Sequence, residues 1–567
     1  MARPWTLLAI LANITLATVV GAATNFNECL NRIKNNDTLR WDLLNNHGSR
    51  LEDPSNATAI PYSICTTQCH SGPEAFSWST LSEELSAWLL PYLALLSQLP
   101  YGTQDKLDNL VAMLLTVGSP TLAAYSVAIT VLNGRWVARL FAQHTCRNAR
   151  KVPRILNSLQ QAPIRVNPDH SLLDPLFCLP SNDQWWDKLA GELDWARTWS
   201  ISAATSILWV VVAYIFTNVD YYMADFKEFR SVKASGGQGI GSLWIWLLPI
   251  VIAWLQISPK CDAPRLRKAV NDANAIVAPV DTGFEEAAQI TSRSRPAILL
   301  ENNRMSLNAD EHRTAPIYNY SRFFSWAAAV ETVSASFREH SRCTNQPQHR
   351  LLVVPTSGVS GYVDIAERYS ESSPEKLDYP EPRYAPRLFA TGTWGRMALA
   401  SLLALGLQWG TAGAAILMAV RTPTTGLACR SGSYLMYAVT STIVWILLLL
   451  SGILSHYGTV SSMARGQDKA LVTGIAALLR RTGKTLAACN VVWILVTCIF
   501  QFSHFFDRCY CNAGVFARGA KNAYVVVKFL EDDVSSMKSA WIGNIVLATG
   551  CAAIFIGFVN TMISSDL

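Results

Sequence analysis

Charged side chains are scarce in this chain of 567 residues, since Asp, Glu, Lys and Arg together make up 16% of it while hydrophobic residues make up 50%. Soluble domains carry about 25% charged residues, so this composition argues against a soluble enzyme. The net charge of +6 is small for the length. Because the basic residues gather in particular loops rather than along one surface, we expect no nucleic-acid partner.

Signatures of catalysis, nucleotide binding and metal binding are also missing. The run from Arg481 to Thr485 ends like a phosphate-binding loop, but Leu478 stands where the first glycine is required. The apolar runs contain essentially no charged residue, which disfavours a proton-coupled transporter. Their polar residues, Gln501 and His504 among them, are predicted to be interhelical packing or interfacial groups, with a substrate path as the alternative. We therefore expect no cofactor, no metal and no assignable catalytic residue.

The chain is rich in long apolar runs. Seven of them are long enough to cross a bilayer, and they lie near residues 107–132, 198–219, 243–258, 397–420, 432–456, 485–506 and 540–563. The predicted fold is an all-α polytopic membrane protein with about seven transmembrane helices. Three of them form a first membrane region at 107–258, and the other four form a second at 397–563.

One shorter apolar run complicates this topology. Residues 85–100 contain Pro91 and are few for a full crossing, so they are predicted to form a re-entrant or interfacial helix. A complete span is the alternative, and it would move every later loop to the other side of the membrane.

The longest polar stretch, 259–393, is predicted to be a large cytosolic loop domain. It contains an amphipathic helix near 264–277 and an apolar helix at 323–337, whose central Glu331 argues against a further span. Proline and charge at 370–387 predict a linker.

The N-terminus resembles a secretory signal. Arg3, an apolar run and small residues at 21–23 predict a signal peptide at 1–23, with an uncleaved anchor as the alternative. Residues 24–84 then form a predicted extracytoplasmic, glycosylated segment whose acceptor sites are Asn36 and Asn56.

Orientation follows from the bias of Lys and Arg among the loops. The basic loops at 135–154 and 457–484 are predicted to be cytosolic, which places the N-terminus outside and the C-terminus in the cytosol. A third acceptor sequence at Asn319 should then stay unmodified. The protein is expected in a membrane of the secretory pathway, with the plasma membrane as its destination.

The same topology gathers six cysteines on the oxidising side, where disulfides form. The N-terminal segment has three, an odd number, and two later loops can supply partners. The disulfide candidates are Cys29, Cys65, Cys69, Cys429, Cys509 and Cys511. Metal binding by Cys65, Cys69 and His70 is the disfavoured alternative, because a second ligand pair is missing.

Two further patterns concern helix packing. Small residues recur in the run 397–420, where Gly406, Gly410 and Gly413 are predicted to let helices approach closely. Tryptophans near the ends of the apolar runs, including Trp244 and Trp246, are predicted to be interfacial anchors.

Three runs carry a resemblance: Leu115–Trp136, Gly241–Ile257 and Leu407–Ser451. The chain resembles a family of uncharacterised multi-pass integral membrane proteins of filamentous fungi. The resemblance covers most of the membrane part and is most specific at 408–410 and 426–431. It implies a multi-pass protein and brings no activity, ligand or functional residue with it.

Three classes of function fit these observations. The first is a sensor or scaffold that binds a cytosolic protein through 259–393. The second is a transporter or exporter of a small apolar metabolite, and the third is a membrane-embedded biosynthetic enzyme. The third would need a reactive cluster that the sequence does not display.

Overall fold

The computed structural model describes residues 24–70, 72–102, 105–144, 148–166, 183–196, 199–223, 239–276, 298–300, 310–345, 389–465 and 470–564. The predicted signal peptide at 1–23 and the predicted linker at 370–387 lie outside these ranges. The described part is mostly helical.

The first half of the chain contains shorter helices and three short strands. They are α1 Phe26–Lys34, β1 Ala59–Pro61, α2 Tyr62–Gln68, α3 Trp78–Trp88, α4 Leu90–Leu96, α5 Lys106–Gly118, α6 Pro120–Phe141, α7 Val152–Ser158, β2 Ile164–Val166, α8 Asp183–Glu192, α9 Ile201–Met223, α10 Leu247–Ile257, α11 Ala263–Asn274 and β3 Ile298–Leu300.

The second half contains the longest helices. They and the elements between them are α12 Asn319–Asn345, α13 Thr393–Arg421, α14 Cys429–Arg465, α15 Ala470–Phe502, α16 Cys509–Asn512, α17 Val515–Asn522, β4 Tyr524–Val526 and α18 Glu531–Ser564.

Several apolar helices make this chain compatible with a multi-pass membrane protein. Within the described ranges, five stretches are long and apolar enough to cross a bilayer: Gly239–Ile257, Thr393–Arg421, Cys429–Val460, Ala470–Phe502 and Glu531–Ile563. The bent pair of α5 and α6 could supply a sixth, and the apolar part of α9 is shorter, at Ile201–Phe216. Five of the seven predicted spans overlap these stretches of the described chain, the bent pair could supply a sixth, and the full set of seven is not confirmed.

The predicted span at 107–132 is not one straight helix, because the chain turns by 101° between α5 and α6. Pro120 has no backbone N–H and stands at the first turn of α6, where that group is not needed. Ser119 caps the new helix by accepting a hydrogen bond from the Leu122 amide, while its hydroxyl donates to the Ser441 carbonyl at 2.7 Å. A local proline and serine therefore override the continuous apolar pattern.

The bend between α5 and α6 lies directly against α15. A Cβ added to Gly118 would lie 2.2 Å from the carbonyl oxygen of Ala487. The Asn490 side chain donates to the Gly118 carbonyl at 2.8 Å, so the backbones are held in contact. Only glycine fits at this position.

Substituting Gly118 with alanine should therefore destabilise the bundle by about 1–3 kcal/mol, since backbone rather than a flexible side chain must move. The control is Gly413→Ala on α13, where an added Cβ would meet no described atom within 4 Å. Thermal unfolding in detergent measures both variants. Equal unfolding temperatures for the two variants would contradict the close contact between Gly118 and Ala487.

Of the three glycines predicted to pack on α13, Gly410 alone lies against a described neighbour. Its added Cβ would lie 2.3 Å from Cys551 Sγ on α18, whereas Gly406 and Gly413 have open space around them among the described residues. The close approach of α13 and α18 is therefore centred on Gly410. Trp244 and Trp246 are 0% and 1% exposed, so they belong to the core and not to an interfacial belt.

Residues of the N-terminal segment and of the region after α15 form a small disulfide domain. Strand β1 pairs antiparallel with β4, with Ala59 opposite Val526 and Pro61 opposite Tyr524. Its core joins Phe26, Leu30 and Ile33 on α1 with Val525 on β4. Segments far apart in sequence therefore fold as one unit at one end of α14 and α15.

The halves of α14 and α15 that lie away from the disulfide domain contact a second group of packed elements, through α12 and Asp310. There β2 pairs with β3, and the indole of Trp185 on α8 donates to Asn274 on α11 at 3.1 Å. Helix α12 packs against α14, and the Gly452 position lies against the Tyr320 carbonyl. The predicted apolar helix at 323–337 lies within α12.

The three glycosylation acceptors differ in exposure. Asn36 and Asn56 are exposed on the disulfide domain, whereas Asn319 is buried and its amide donates to the Thr130 hydroxyl at 2.7 Å. We expect endoglycosidase treatment to shift the wild-type protein and the Asn319→Gln variant alike. Loss of the shift should require both Asn36→Gln and Asn56→Gln, and a glycan on Asn319 would refute the topology.

Candidate functional site

A buried polar cluster lies where the disulfide domain meets the ends of two long helices. Helix α14 begins at Cys429 and places Arg430 there, and α15 contributes Gln501 near its end at Phe502. After α15, His504 takes a left-handed backbone conformation with φ of 58°, which turns the chain toward Asp507. We call this the Asp507 cluster, and its members are Glu74, Arg430, Gln501, His504, Asp507 and Asn512.

Arg430 organises the cluster by donating from all of its nitrogens. Nε donates to Gln501 Oε1 at 2.8 Å and Nη1 donates to Asn512 Oδ1 at 3.3 Å. Nη2 forms an ion pair with Asp507 Oδ1. Because a guanidinium is planar, these contacts fix the positions of three chain segments at once.

Asp507 is charged although it is 1% exposed. Burial by itself would raise the pKa of this carboxyl, but the Arg430 guanidinium and the hydrogen bond from His504 lower the pKa to about 2. His504 Nδ1 lies 3.0 Å from Asp507 Oδ2, on the side opposite Arg430. The carboxylate is therefore ionised at neutral pH and held on both oxygens.

The N-terminal segment closes over this cluster. The Glu74 amide donates to the Asp507 carbonyl at 3.0 Å, and Glu74 offers its carboxylate to the same site. Three disulfides hold the surroundings together: Cys29–Cys69, Cys65–Cys509 and Cys429–Cys511. The bonds use the six candidate cysteines, and they rule out the thiolate metal site considered for Cys65, Cys69 and His70.

A cleft adjoins the cluster, between the start of α14 and the end of α13. Arg430 and Asn512 form its polar end, and Met418 and Ala415 belong to its apolar wall. Tyr434 also lines it, and the Tyr434 hydroxyl is buried with no described hydrogen-bond partner. The cleft therefore combines apolar walls with a few polar groups.

A second buried polar group surrounds Asp310, which is 1% exposed. Lys484 Nζ on α15 donates to Asp310 Oδ1 at 2.5 Å, and the Tyr320 hydroxyl donates to Oδ2 at 2.5 Å. Arg313 and Arg480 approach the same carboxylate at 3.6 and 4.0 Å. Arg313 also pairs with Asp108 on α5 at 2.7 Å. We call these six residues the Asp310 network.

One helix joins the two groups. Lys484 and Gln501 both belong to α15 and are 17 residues apart, which corresponds to about 26 Å along an α-helix. The Asp507 cluster therefore lies at the end of α15, while the Asp310 network binds its first half. A rigid element connects two buried charged sites.

Sequence reasoning found the cysteines but not the Asp507 cluster. Gln501 and His504 were read as packing or interfacial residues, and the cluster draws on positions between Glu74 and Asn512. The only available signal was Arg430 immediately after Cys429, an arginine at the start of an apolar run.

No protein-family model, curated protein or solved structure matches this chain.

Proposed function

We propose that this protein is a membrane sensor, in which a change at the Asp507 cluster alters the Asp310 network. The observation that carries the proposal is the arrangement of α15, which contributes residues to both groups and joins them through one uninterrupted helix. Buried ion pairs suit this role, because loss of one partner leaves an uncompensated buried charge at a high free-energy cost.

The contacts between α14 and α15 support transmission. Near the cluster the Trp493 indole donates to the Ser433 carbonyl at 3.1 Å, and near the network Ser451 donates to the Ala476 carbonyl at 2.7 Å. Between them Gly483 lies against Leu448. Helices packed in this way shift as bodies rather than bending locally, so displacement at one end reaches the other.

The proposed placement follows the charge bias of the loops. The disulfide domain lies outside the cell or in the lumen of the secretory pathway, with the plasma membrane as its destination. The Asp310 network and the segment 259–393 face the cytosol, as does the C-terminus. In this placement the segment 259–393 presents the signal to a cytosolic protein. If that partner stays bound whatever the state of the Asp507 cluster, the protein acts as a scaffold rather than as a sensor.

Proximity labelling tests the sensor proposal. A labelling enzyme is fused after Leu567, and the proteins labelled by the wild type are compared with those labelled by Asp507→Asn at equal abundance. A sensor predicts that the labelled set changes with the variant. An unchanged set would overturn sensing and favour a constant scaffold.

The cleft beside Tyr434 favours export of a small apolar metabolite as the second candidate. Its apolar walls and a hydroxyl without a hydrogen-bond partner among the described residues suit a ligand with one polar group. Metabolites in cells and in medium are compared between a deletion strain and its parent. A finished compound retained in the cells would replace the sensor proposal by export, whereas an accumulated precursor would point to an enzyme.

A further inference from the structure

We infer that Glu74, His504 and Asp507 form a binding site for a divalent transition-metal cation of the zinc class. Each residue offers one ligand atom, and the three atoms lie within 4.8 Å of one another. The closest pair, His504 Nδ1 and Asp507 Oδ2, is separated by 3.0 Å. Tetrahedral zinc with bonds of about 2.0–2.2 Å separates its ligand atoms by roughly 3.3–3.5 Å, so small side-chain movements complete the site.

The donor set selects the class of cation. One imidazole and two carboxylates are three protein ligands, which leaves a fourth position for water or a ligand. Calcium prefers six to eight oxygen ligands, and magnesium rarely takes imidazole, so both fit less well. His504 and Asp507 are 4% and 1% exposed, whereas Glu74 is half-buried and provides the open side.

The surroundings already orient the ligands. Arg430 holds Asp507 Oδ1 and leaves Oδ2 facing His504. Such outer contacts fix a carboxylate in a metal site and account for much of its affinity. When the cation binds, it replaces the hydrogen bond between His504 and Asp507 by two bonds to the metal. Nδ1 gives up its proton, and the neutral ring carries one proton on Nε2, so a neutral imidazole changes tautomer through solvent and an imidazolium releases one proton to solvent.

The position of the site gives the cation a role. Glu74 belongs to the N-terminal segment, and His504 and Asp507 follow α15, so one ion joins the disulfide domain to the end of that helix. The cation is then the ligand of the sensor, and this last step rests on the proposed function. The existence of the site does not.

Metal binding to the full-length protein in detergent tests the inference. The protein is stripped with chelator, then titrated with ZnCl2 by calorimetry, and its metal content is measured by mass spectrometry. We expect about one zinc ion per chain, with affinity reduced at least about 10-fold in Glu74→Gln and His504→Ala. Matched controls are Glu52→Gln and His47→Ala, whose side chains are exposed in the same domain.

Each outcome decides between alternatives. Glu74 lies at the open side of the site, so Glu74→Gln should keep its unfolding midpoint while losing zinc, even where His504→Ala fails to fold. Equal zinc binding by Glu74→Gln and Glu52→Gln would overturn the site. If zinc does not bind but the Asp507 cluster and the Asp310 network are coupled, the metal site is overturned and the sensor proposal stands. If zinc binds but the two groups are not coupled, the sensor proposal is overturned and the metal site stands.

Discussion

Replacing Asp310 with alanine is expected to destabilise the protein by about 3–5 kcal/mol, the cost of removing one partner from a buried ion pair. The carboxylate is 1% exposed, and Lys484, Arg313 and Arg480 all approach it, although Arg313 also pairs with Asp108. Without it, three cations remain close together and largely buried. Asp310→Asn keeps the size of the side chain and should lose most of the same stability.

Thermal unfolding followed by tryptophan fluorescence measures this loss in detergent. The matched control is Asp187→Ala, because Asp187 is 66% exposed and pairs with Lys151 at the surface. Exposed pairs contribute about 0–1 kcal/mol, so the control should move the midpoint little. If Asp310→Ala and Asp187→Ala unfold at the same temperature, the Asp310 network is not a structural centre of the protein.

The second large effect concerns the bond between Cys65 and Cys509, which joins residues separated by 444 positions. Replacing both cysteines with serine should cost about 2–5 kcal/mol. We also expect the N-terminal segment to be cut faster by protease, because the remaining attachment rests on the short β1–β4 pairing, on apolar contacts and on hydrogen bonds such as that from the Glu74 amide to the Asp507 carbonyl. Changing both residues together leaves no new free thiol.

Cys489→Ser provides the control for this variant. Cys489 is a free, exposed cysteine on α15, so its loss removes a thiol but no cross-link. Limited proteolysis of the full-length protein in detergent, followed by mass spectrometry of the fragments, compares the two variants. Equal resistance of the N-terminal segment in both variants would mean that the disulfide does not hold this segment in place.

The elements most readily predicted from the sequence were those with a strong local pattern. The apolar runs at 397–420, 432–456 and 540–563 lie within long helices, and the amphipathic pattern at 264–277 overlaps α11. The run at 107–132 contains a bend that its apolar pattern does not show, because hydropathy averaged over a window does not record a change of direction. The change of direction is caused locally by Ser119 and Pro120, which cap and begin the new helix.

The candidate sites could not be predicted because their members are distant in sequence. Lys484 counted as one charge in a basic loop, yet its partner Asp310 is 174 residues away and buried. Glu74 reaches Asp507 only because β1 pairs with β4 and Cys65 bonds to Cys509. Charge bias and hydropathy describe each segment alone, and such pairings are decided by tertiary packing.

Coupling between the two buried groups is the central claim, and hydrogen–deuterium exchange of the full-length protein in lipid nanodiscs tests it directly. Coupling free energies are reciprocal. Asp507→Asn should therefore speed exchange in peptides from 310–345, and Asp310→Asn should speed exchange in peptides from 501–512, while Asp187→Asn changes neither. Exchange that changes only around each altered residue would contradict the account, because the two groups would then be independent.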